Sequence, residues 1–351
     1  MTKQEAIEQF DPNAPGATGN LFGLPFTTEQ AELVLIPIPW EVTVSYSDGT
    51  ANGPQAILDA SAQVDLFVKD IKEAWKLGVA MLPIPADLQA ENNKLRELAA
   101  QYIESLTEQE TSATNNAILD QINTACENLN IYVKSTALKL IREGKLVGLV
   151  GGDHSTPLGL MRALTEKYTK FAVLQIDAHA DLRKAYEGFT YSHASIMYNA
   201  LKLPAISKLV QVGIRDYCDE EVSVMQRAAG RVVTFFDEDI KNWMYQGKTW
   251  ENVCDAILKE LPEHVYISFD IDGLDPKLCP NTGTPVAGGF EFHQIAYLIK
   301  KLVLAGKKII GFDLNEVAPG EDEWDANVGA RMLYHLCNWT AVSQNKLTVN
   351  R

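Results

Sequence analysis

The sequence predicts a single α/β domain with three layers (α/β/α), in which helices cover both faces of a mostly parallel central sheet. Three observations predict this class. Beyond Gly144, short apolar runs alternate with helical patterns, and the runs are apolar throughout, as expected of strands buried on both faces. No linker or internal repeat divides the chain. With 351 residues, the chain can bury a large core.

The first 30 residues are interpreted as an amino-terminal arm, and residues 31–351 as one domain. The arm is rich in Pro, Gly, Asn and Thr. It also carries large apolar side chains, namely Phe10, Leu21, Phe22, Leu24 and Phe26. This mixture is typical of a segment that lies on a protein surface rather than of a free tail.

The first elements of the domain are predicted from local patterns. Residues 31–40 (AELVLIPIPW) predict a buried strand, and residues 53–67 predict a helix that begins near Pro54. Between residues 94 and 143 the apolar residues recur at helical spacing, which predicts two helices separated near residues 111–116 and ending at Gly144. The periodic face is interpreted as a packing layer without a catalytic role.

The rest of the chain predicts alternating strands and helices. Apolar runs predict strands at 146–152, 171–177, 209–214, 232–236, 264–272 and 308–314. Helical patterns predict helices at 159–168, 250–261 and 294–307.

Composition excludes several classes of protein. The formal net charge of −15, without a basic run, argues against a nucleic-acid partner. The five cysteines are odd in number and show no CxxC spacing, so they indicate neither a disulfide framework nor a thiolate zinc site. No signal-peptide pattern and no long apolar stretch is present. We therefore expect a cytoplasmic protein that does not bind or span a membrane.

Polar side chains follow four of the predicted strands, at the sheet edge where ligands bind in open parallel sheets. Because residues i and i+2 of a strand face the same side, Asp177 can converge with His179, and Asp270 with Asp272. Asp181 joins them if the chain turns after His179. The complete candidate set is His154, Asp177, His179, Asp181, Asp270, Asp272 and Glu316.

Cations explain why so many carboxylates can share one crevice. Four carboxylates would repel each other, and several would be protonated unless positive charge lay among them. Two divalent cations with bridging carboxylates use this number of ligands, whereas one structural zinc needs four and usually recruits Cys. Mostly oxygen ligands with some imidazole favour Mn²⁺, with Ni²⁺ or Co²⁺ as alternatives.

These segments resemble the signatures of the ureohydrolase family, which includes arginases, agmatinases and guanidinobutyrases. Three segments are similar to its metal-binding motifs: GGDHS (151–155), IDAHAD (176–181) and SFDIDGLDP (268–276). GTPVAGG (283–289) and NEVAP (315–319) resemble two further family segments. The resemblance runs from about residue 31 to the end of the chain and implies an arginase-like fold.

One position departs from the family pattern. Asn281 follows Pro280 at a place where the family commonly has a small residue, often Gly. We expect this difference to alter the loop that follows.

The resemblance also implies a two-metal site and a reaction. One divalent cation would be held by His154, Asp177, Asp181 and Asp270, and the other by His179, Asp177, Asp270 and Asp272. Asp177 and Asp270 would bridge the two ions, and Mn²⁺ is the metal that the family favours. The implied reaction is hydrolysis of a guanidino C–N bond, which releases urea with an amine or ammonia.

The resemblance assigns catalytic roles to Asp181, Glu316 and His193. Glu316 would anchor the guanidinium of a small cationic substrate, and a carboxylate suits this task because it accepts two parallel hydrogen bonds. His193, in YSHAS (191–195), would contact the substrate and shuttle a proton to the leaving amine. The resemblance further implies a homo-oligomer, either a trimer or a hexamer.

The loop at residues 182–192 favours the agmatinase-like branch. It lacks the Ser-Gly-Asn pattern of arginases, so arginase activity is disfavoured. Guanidinobutyrate and free guanidine, the latter with nickel, stay open as alternative substrates. Four side chains are candidates for the lining of a small cation pocket: Trp40, Glu41, Tyr46 and Tyr217.

Two other classes of function are weaker. An inactive scaffold would normally have lost a metal ligand, and all six are present. A deacetylase of related fold would need neither two carboxylate bridges nor Glu316.

Overall fold

Parallel strands form one central sheet in the computed structural model, which describes residues 1–108, 113–228 and 230–350. Within these ranges the sheet has eight strands in the order β2-β1-β3-β8-β7-β4-β5-β6, and every neighbouring pair is parallel. The strands are β1 (Leu33–Ile38), β2 (Val79–Met81), β3 (Leu146–Gly151), β4 (Phe171–Ile176), β5 (Ile206–Ile214), β6 (Val232–Phe236), β7 (His264–Asp270) and β8 (Lys308–Asn315).

Helices cover both faces of this sheet. They are α1 (Lys3–Gln9), α2 (Gly53–Ser61), α3 (Ala86–Thr107), α4 (Ala113–Arg142), α5 (Leu158–Leu164), α6 (Ile196–Ala200), α7 (Asp219–Arg227), α8 (Asp237–Tyr245), α9 (Trp250–Glu260), α10 (Phe292–Leu304) and α11 (Trp324–Ser343). Successive strand residues such as Val173 and Leu174 point into two different apolar clusters. One cluster packs against α2 and α9–α11, and the other against α3–α6, which confirms the predicted three-layer α/β class.

Most predicted elements are present, with differences at the boundaries. The helix predicted over 53–67 ends at Ser61, whose hydroxyl donates to the Leu58 carbonyl and accepts from the Phe22 N–H. The predicted separation near 111–116 lies partly outside the described residues, and α4 already includes 113–116. The sequence does not predict the short strand β2 or the helices α1, α6, α7, α8 and α11. β2 has three residues and α6 five, too few to show a period, and α11 is buried around most of its circumference, which leaves little amphipathic pattern.

The amino-terminal residues pack onto the domain. The helix α1 begins with a capping box, in which Thr2 accepts from the Glu5 N–H at 3.3 Å and Glu5 accepts from the Thr2 N–H at 2.7 Å. Further along, Leu21, Phe22, Leu24 and Phe26 are buried. A boundary at residue 30 stays a prediction.

Four central strands carry the polar residues singled out in the sequence. In the sheet, β3, β8, β7 and β4 are consecutive neighbours, although they are far apart along the chain. Parallel strands end on the same edge, so the segments after these strands meet there.

Among the described residues, no helix combines the length and the apolar character that a membrane span requires.

Candidate active site

His154 follows β3 and points one ring nitrogen at three carboxylates. Its Nδ1 lies 3.0 Å from Asp177 Oδ2, 3.1 Å from Asp181 Oδ2 and 3.4 Å from Asp270 Oδ2. None of these contacts has hydrogen-bond geometry, and the nitrogen is buried. An imidazole nitrogen surrounded by carboxylate oxygens in this way is arranged as a metal ligand rather than as a hydrogen-bond donor.

The other nitrogen of His154 is held by buried groups behind it. Nε2 lies 2.9 Å from Ser268 Oγ on β7, and this hydroxyl donates to Asp313 Oδ1 on β8 at 3.1 Å. Ser268 and Asp313 have no exposed surface. We assign the ring proton to Nε2, because Ser268 then accepts it and Nδ1 keeps a free lone pair.

A second cluster forms around His179. Its Nδ1 lies 2.9 Å from Asp272 Oδ2 and 3.7 Å from Asp177 Oδ1. Asp272 Oδ2 is buried and has no hydrogen-bond partner among the residues that the structure describes. On the outer side of the ring, Nε2 lies 3.9 Å from Asp216 Oδ2.

Local backbone geometry orients the carboxylates. Asp177 Oδ1 accepts from the His179 N–H at 2.6 Å, and Asp270 Oδ1 accepts from the Asp272 N–H at 2.9 Å. Asp181 has a φ of +54°, a conformation that is costly for a residue with a side chain. The chain therefore turns after His179, and this turn brings Asp181 beside His154.

The pKa values of these side chains show that the carboxylates repel one another when no cation lies between them. Burial, and then the charges of Asp272 and Asp177, raise the pKa of Asp270 well above its ordinary value. Burial and Asp177 raise the pKa of Asp181 to about 7. Burial opposes the charged form of His179, but Asp272 and the other carboxylates raise its pKa to about 10. The cluster thus retains protons that its carboxylates would otherwise release.

Divalent cations fit this arrangement. Two groups of side chains each offer ligand atoms within 4.8 Å of one another: His154, Asp177 and Asp270 form one, and Asp177, His179 and Asp272 form the other. Asp177 belongs to both groups, and the oxygen-rich donor set with one imidazole each suits mid-row divalent ions. Asp181 borders the first group through its 3.1 Å contact with His154.

Glu316 lies beside the first group, just after β8. Its Oε1 accepts from the His154 N–H at 2.8 Å, and its own N–H donates to Gly152 O at 2.8 Å. A Cβ placed on Gly283 would lie 3.1 Å from Oε2, so glycine leaves this oxygen accessible. Glu316 is buried and has a φ of +62°, and burial together with Asp153 raises its pKa well above the usual range. A buried guanidinium would stabilise its charged form.

His193 lines a cavity of about 390 Å³ that is also lined by the candidate ligands His179 and Asp181. Its Nδ1 lies 3.5 Å from Ser192 Oγ. Burial, and then His179 and His154, lower the pKa of His193 to about 3, so its ring is neutral at neutral pH. A larger cavity of about 970 Å³ lies beside the amino-terminal residues and is lined by none of the seven predicted polar groups.

Comparison with known proteins identifies the family. The arginase family profile matches residues 31–338. The N(1)-aminopropylagmatine ureohydrolase of Thermus thermophilus is 32% identical over 313 residues, which cover 88% of this chain and 89% of that protein. This chain belongs to the arginase family. The predicted resemblance to ureohydrolases is thus confirmed.

Further relatives match most of the length of this arginase-family chain. The agmatinase of Bacillus anthracis is 26% identical over 301 residues, or 85% of this chain and 87% of that protein. The crystal structure of agmatine ureohydrolase of Thermoplasma volcanium matches with a TM-score of 0.71 at 22% identity, and the match covers 98% of this chain and 99% of that one. This structural likeness confirms the arginase-like fold.

The four residues expected to line a cation pocket divide into two pairs. Trp40 is fully buried in the apolar core and does not reach the cavity. Glu41 Oε2 accepts from Gly49 N–H at 2.7 Å and from Ala51 N–H at 3.1 Å, so it organises the loop before α2. Tyr46 and Tyr217 do line the cavity of this arginase-family chain.

Two residues that support the candidate ligands, Ser268 and Arg215, are not predicted by the sequence patterns. Ser268 could have been suspected, since it lies two residues before Asp270 on the same side of β7. Arg215 gave no signal: it donates from Nη2 to Asp272 O at 2.6 Å and to Val286 O at 2.9 Å, contacts that depend on the tertiary fold.

Proposed function

We propose that this protein hydrolyses a guanidino C–N bond and releases urea with an amine, in an agmatinase-like reaction that requires two divalent cations. The observation that carries this proposal is the pair of candidate ligand groups that share Asp177. Directly beside them lies Glu316, a buried carboxylate that forms no ion pair with the described residues. The names of the relatives, N(1)-aminopropylagmatine ureohydrolase and agmatinase, support the same reaction class.

The chain would hold the cations with side chains from three strand ends. His154, Asp177, Asp181 and Asp270 would hold one, and His179, Asp177, Asp270 and Asp272 the other. Bound divalent cations would lower the pKa of water so that it can attack the guanidino carbon, and would stabilise the negative charge that develops.

The substrate would be oriented by Glu316. Its Oε1 is engaged with the His154 N–H, and the accessible Oε2 would accept from the guanidinium. A planar guanidinium presents paired N–H groups to such a carboxylate, which fixes the plane of the substrate. Binding in a buried site excludes water and holds the guanidino carbon next to the metal ligands.

One further side chain would handle protons, and Asp181 would give up its own. The pKa of Asp181 without a bound cation is raised to about 7, so its carboxyl would lose its proton when a cation binds beside His154. His193 is uncharged at neutral pH, so one ring nitrogen can donate a proton to the leaving amine while the other accepts one.

The cavity wall favours a substrate with a cationic tail. Tyr46 and Tyr217 offer aromatic faces to an amine, and the Asp216 side chain is 67% exposed. Arg183 lies on the same wall, but it stacks on Tyr186 at 4.9 Å and lies 4.0 Å from Glu221. These features support agmatine or an N-substituted agmatine, with guanidinobutyrate and free guanidine as weaker candidates.

The metal, assembly and location are also proposed. The oxygen-rich ligands favour Mn²⁺ over Ni²⁺. A homotrimer or homohexamer is proposed from the family resemblance, and a cytoplasmic location from the scattered cysteines.

A urea-release assay tests the function. The protein, loaded with Mn²⁺ or with Ni²⁺, would be assayed with agmatine, N(1)-aminopropylagmatine, guanidinobutyrate, guanidine and arginine, and we expect the greatest urea release from the first two. Asp270→Ala should lose both metal and urea production, whereas the exposed-site control Asp239→Ala should retain both. Full activity of Asp270→Ala, or no urea from any substrate, would refute the proposal.

A further inference from the structure

The loop between β7 and α10 forms part of the wall of the substrate cavity. It begins after the ligand Asp272, and its residues Thr284, Pro285 and Val286 line the cavity. Arg215 fixes one end of this wall, since it joins the carbonyls of Asp272 and Val286. The other end depends on Asn281, the position where the sequence departs from the family pattern.

Asn281 makes a two-point contact with Asp325 in the first turn of α11. Its backbone N–H donates to Asp325 Oδ1 and its side-chain Nδ2 donates to Asp325 Oδ2, both at 2.9 Å. Asp325 has no exposed surface, so these hydrogen bonds satisfy a buried carboxylate. The first turn of a helix also favours negative charge.

The Asn281 amide packs closely against a neighbouring loop, although the residue is exposed overall. A Cβ on Gly320 would lie 2.2 Å from Asn281 Nδ2 and 2.8 Å from its Cγ. The amide therefore lies between the backbone of the loop after β8 and the carboxylate of α11. Since Glu316 begins that same loop, Asn281 connects three segments that surround the guanidino site.

The consequence appears two residues further on, at Gly283. This glycine faces Glu316 Oε2, with only 3.1 Å between the oxygen and the place where a Cβ would be. A small shift of the loop would either block this oxygen or open the site to water.

We propose that Asn281 is a positioning residue, which acts through its contact with Asp325 to set the distance between Gly283 and Glu316. This inference rests on the proposed function, because it assumes that Glu316 binds the guanidinium. All candidate substrates share the guanidino group. The contact between Asn281 and Asp325 should therefore affect the binding of every substrate equally and should not select between substrates with different tails.

Replacing the side chain tests the contact directly. Asn281→Gly removes the amide and frees the backbone, and we expect kcat/KM to fall about 10- to 100-fold, since small misplacements of a substrate have effects of this size. The factor should be the same for agmatine and N(1)-aminopropylagmatine, with metal content unchanged. The exposed-site control Asn13→Gly should retain wild-type kinetics.

An exchange of the two side chains separates positioning from simple loss of stability. Asn281→Asp sets two carboxylates against each other and should lose activity, whereas Asp325→Asn keeps both hydrogen bonds once the Asn281 amide flips and should retain most of it. In the double variant Asn281→Asp/Asp325→Asn the backbone N–H at position 281 still donates to the side chain at position 325, and the side-chain hydrogen bond is restored with donor and acceptor exchanged. We expect kcat/KM of the double variant to lie within about threefold of the wild-type value, because the effects of substitutions at two contacting residues are not additive.

The outcomes are distinct. Wild-type kcat/KM in Asn281→Gly would overturn the inference, as would a double variant that is folded and metal-loaded but no more active than Asn281→Asp. A lower Tm with unchanged KM and kcat would assign Asn281 a structural role only. If the wild type releases no urea from any substrate, the proposed function itself fails, and this inference fails with it.

Discussion

Buried acids at one sheet edge need positive charge, and the chain supplies little of it. Asp177, Asp181, Asp270 and Asp272 are all buried, and the imidazoles of His154 and His179 are the groups in ion-pair contact with them among the described side chains. The pKa values raised at Asp181 and Asp270 show that protons would neutralise part of this charge. Divalent cations would displace those protons, so metal binding should release protons and strengthen as pH rises.

Glu316→Gln is expected to separate substrate binding from metal binding. Gln can still accept the His154 N–H, so both metals should remain bound. The glutamine side chain has no negative charge and would present its NH₂ group to the guanidinium. We therefore expect kcat/KM to fall at least about 100-fold, which corresponds to ~3 kcal/mol of transition-state stabilisation. Changing one partner of a buried ion pair typically has an effect of this size. Urea-release kinetics and metal analysis measure the two effects. Loss of the metals would show that Glu316 has a different role.

Ser268→Ala is expected to weaken one metal position without touching a ligand. The variant removes the acceptor for His154 Nε2–H, and loss of such an outer partner typically costs about 10- to 100-fold in metal affinity. Titration of the metal-free protein with Mn²⁺ measures this change, and excess Mn²⁺ should restore most of the activity. Ser207→Ala, on β5 and away from the site, serves as the control. Equal Mn²⁺ affinity in both variants would exclude the proposed role.

For single residues, the sequence predicts a role in the site where that role depends on the local position of the residue in a strand. Asp177 with His179, and Asp270 with Asp272, follow the period of a strand, so their convergence could be predicted. For Asn281, the sequence shows only a departure from the family pattern. Its role depends on Asp325, which lies 44 positions further along the chain, and no local pattern contains that contact.

At the scale of elements, the site depends on the order of strands in the sheet. The candidate ligands follow β3, β7 and β4; β7 and β4 are direct neighbours, and β8, which ends just before Glu316, lies between β7 and β3. Apolar runs and alternating helices could predict parallel strands, but not this order, which is decided by how helices pack on each face. Short elements such as β2 escaped prediction because three residues carry no measurable period.

The contact between α10 and α11 is expected to make stability depend on pH. His335 Nε2 donates to Ala296 O at 2.9 Å, and burial lowers the pKa of His335 to about 4. An unfolded histidine titrates near 6.5, so below that pH the unfolded chain binds a proton that the folded chain does not. This contribution to stability is therefore complete above pH 6.5 and is lost as the pH falls toward 4.

His335→Gln removes that titration while keeping a donor for Ala296. When the pH is lowered from about 7.5 to about 5, the free energy of unfolding of the wild type should fall by about 2 kcal/mol more than that of the variant. This corresponds to a difference of a few degrees in the shift of Tm. Thermal unfolding at both pH values measures this difference, and the exposed-site control His293→Gln should retain most of the wild-type dependence. Equal pH dependence in wild type and His335→Gln would contradict the assignment.

At the scale of the whole molecule, the amino-terminal segment completes one of the two cores. Phe22 lies 4.8 Å from the Tyr334 ring of α11, and its N–H donates to Ser61 Oγ of α2 at 2.8 Å. Phe10 lies 5.1 Å from Trp75 in the same region. Since α11 also carries Asp325, the segment supports the helix against which the cavity loop is held.

Phe22→Ala is therefore expected to destabilise the entire domain rather than a separate tail. Phe22 is fully buried, and truncating a buried Phe typically costs about 3 to 5 kcal/mol. Phe67→Ala is the matched control, because that side chain is 84% exposed and its loss should change stability by less than about 0.5 kcal/mol. A single cooperative thermal transition at lower Tm is expected for Phe22→Ala, with urea release and metal content lost in the same transition. If the segment were an independent arm, Phe22→Ala would unfold it in a separate step and leave the Tm of the catalytic domain unchanged.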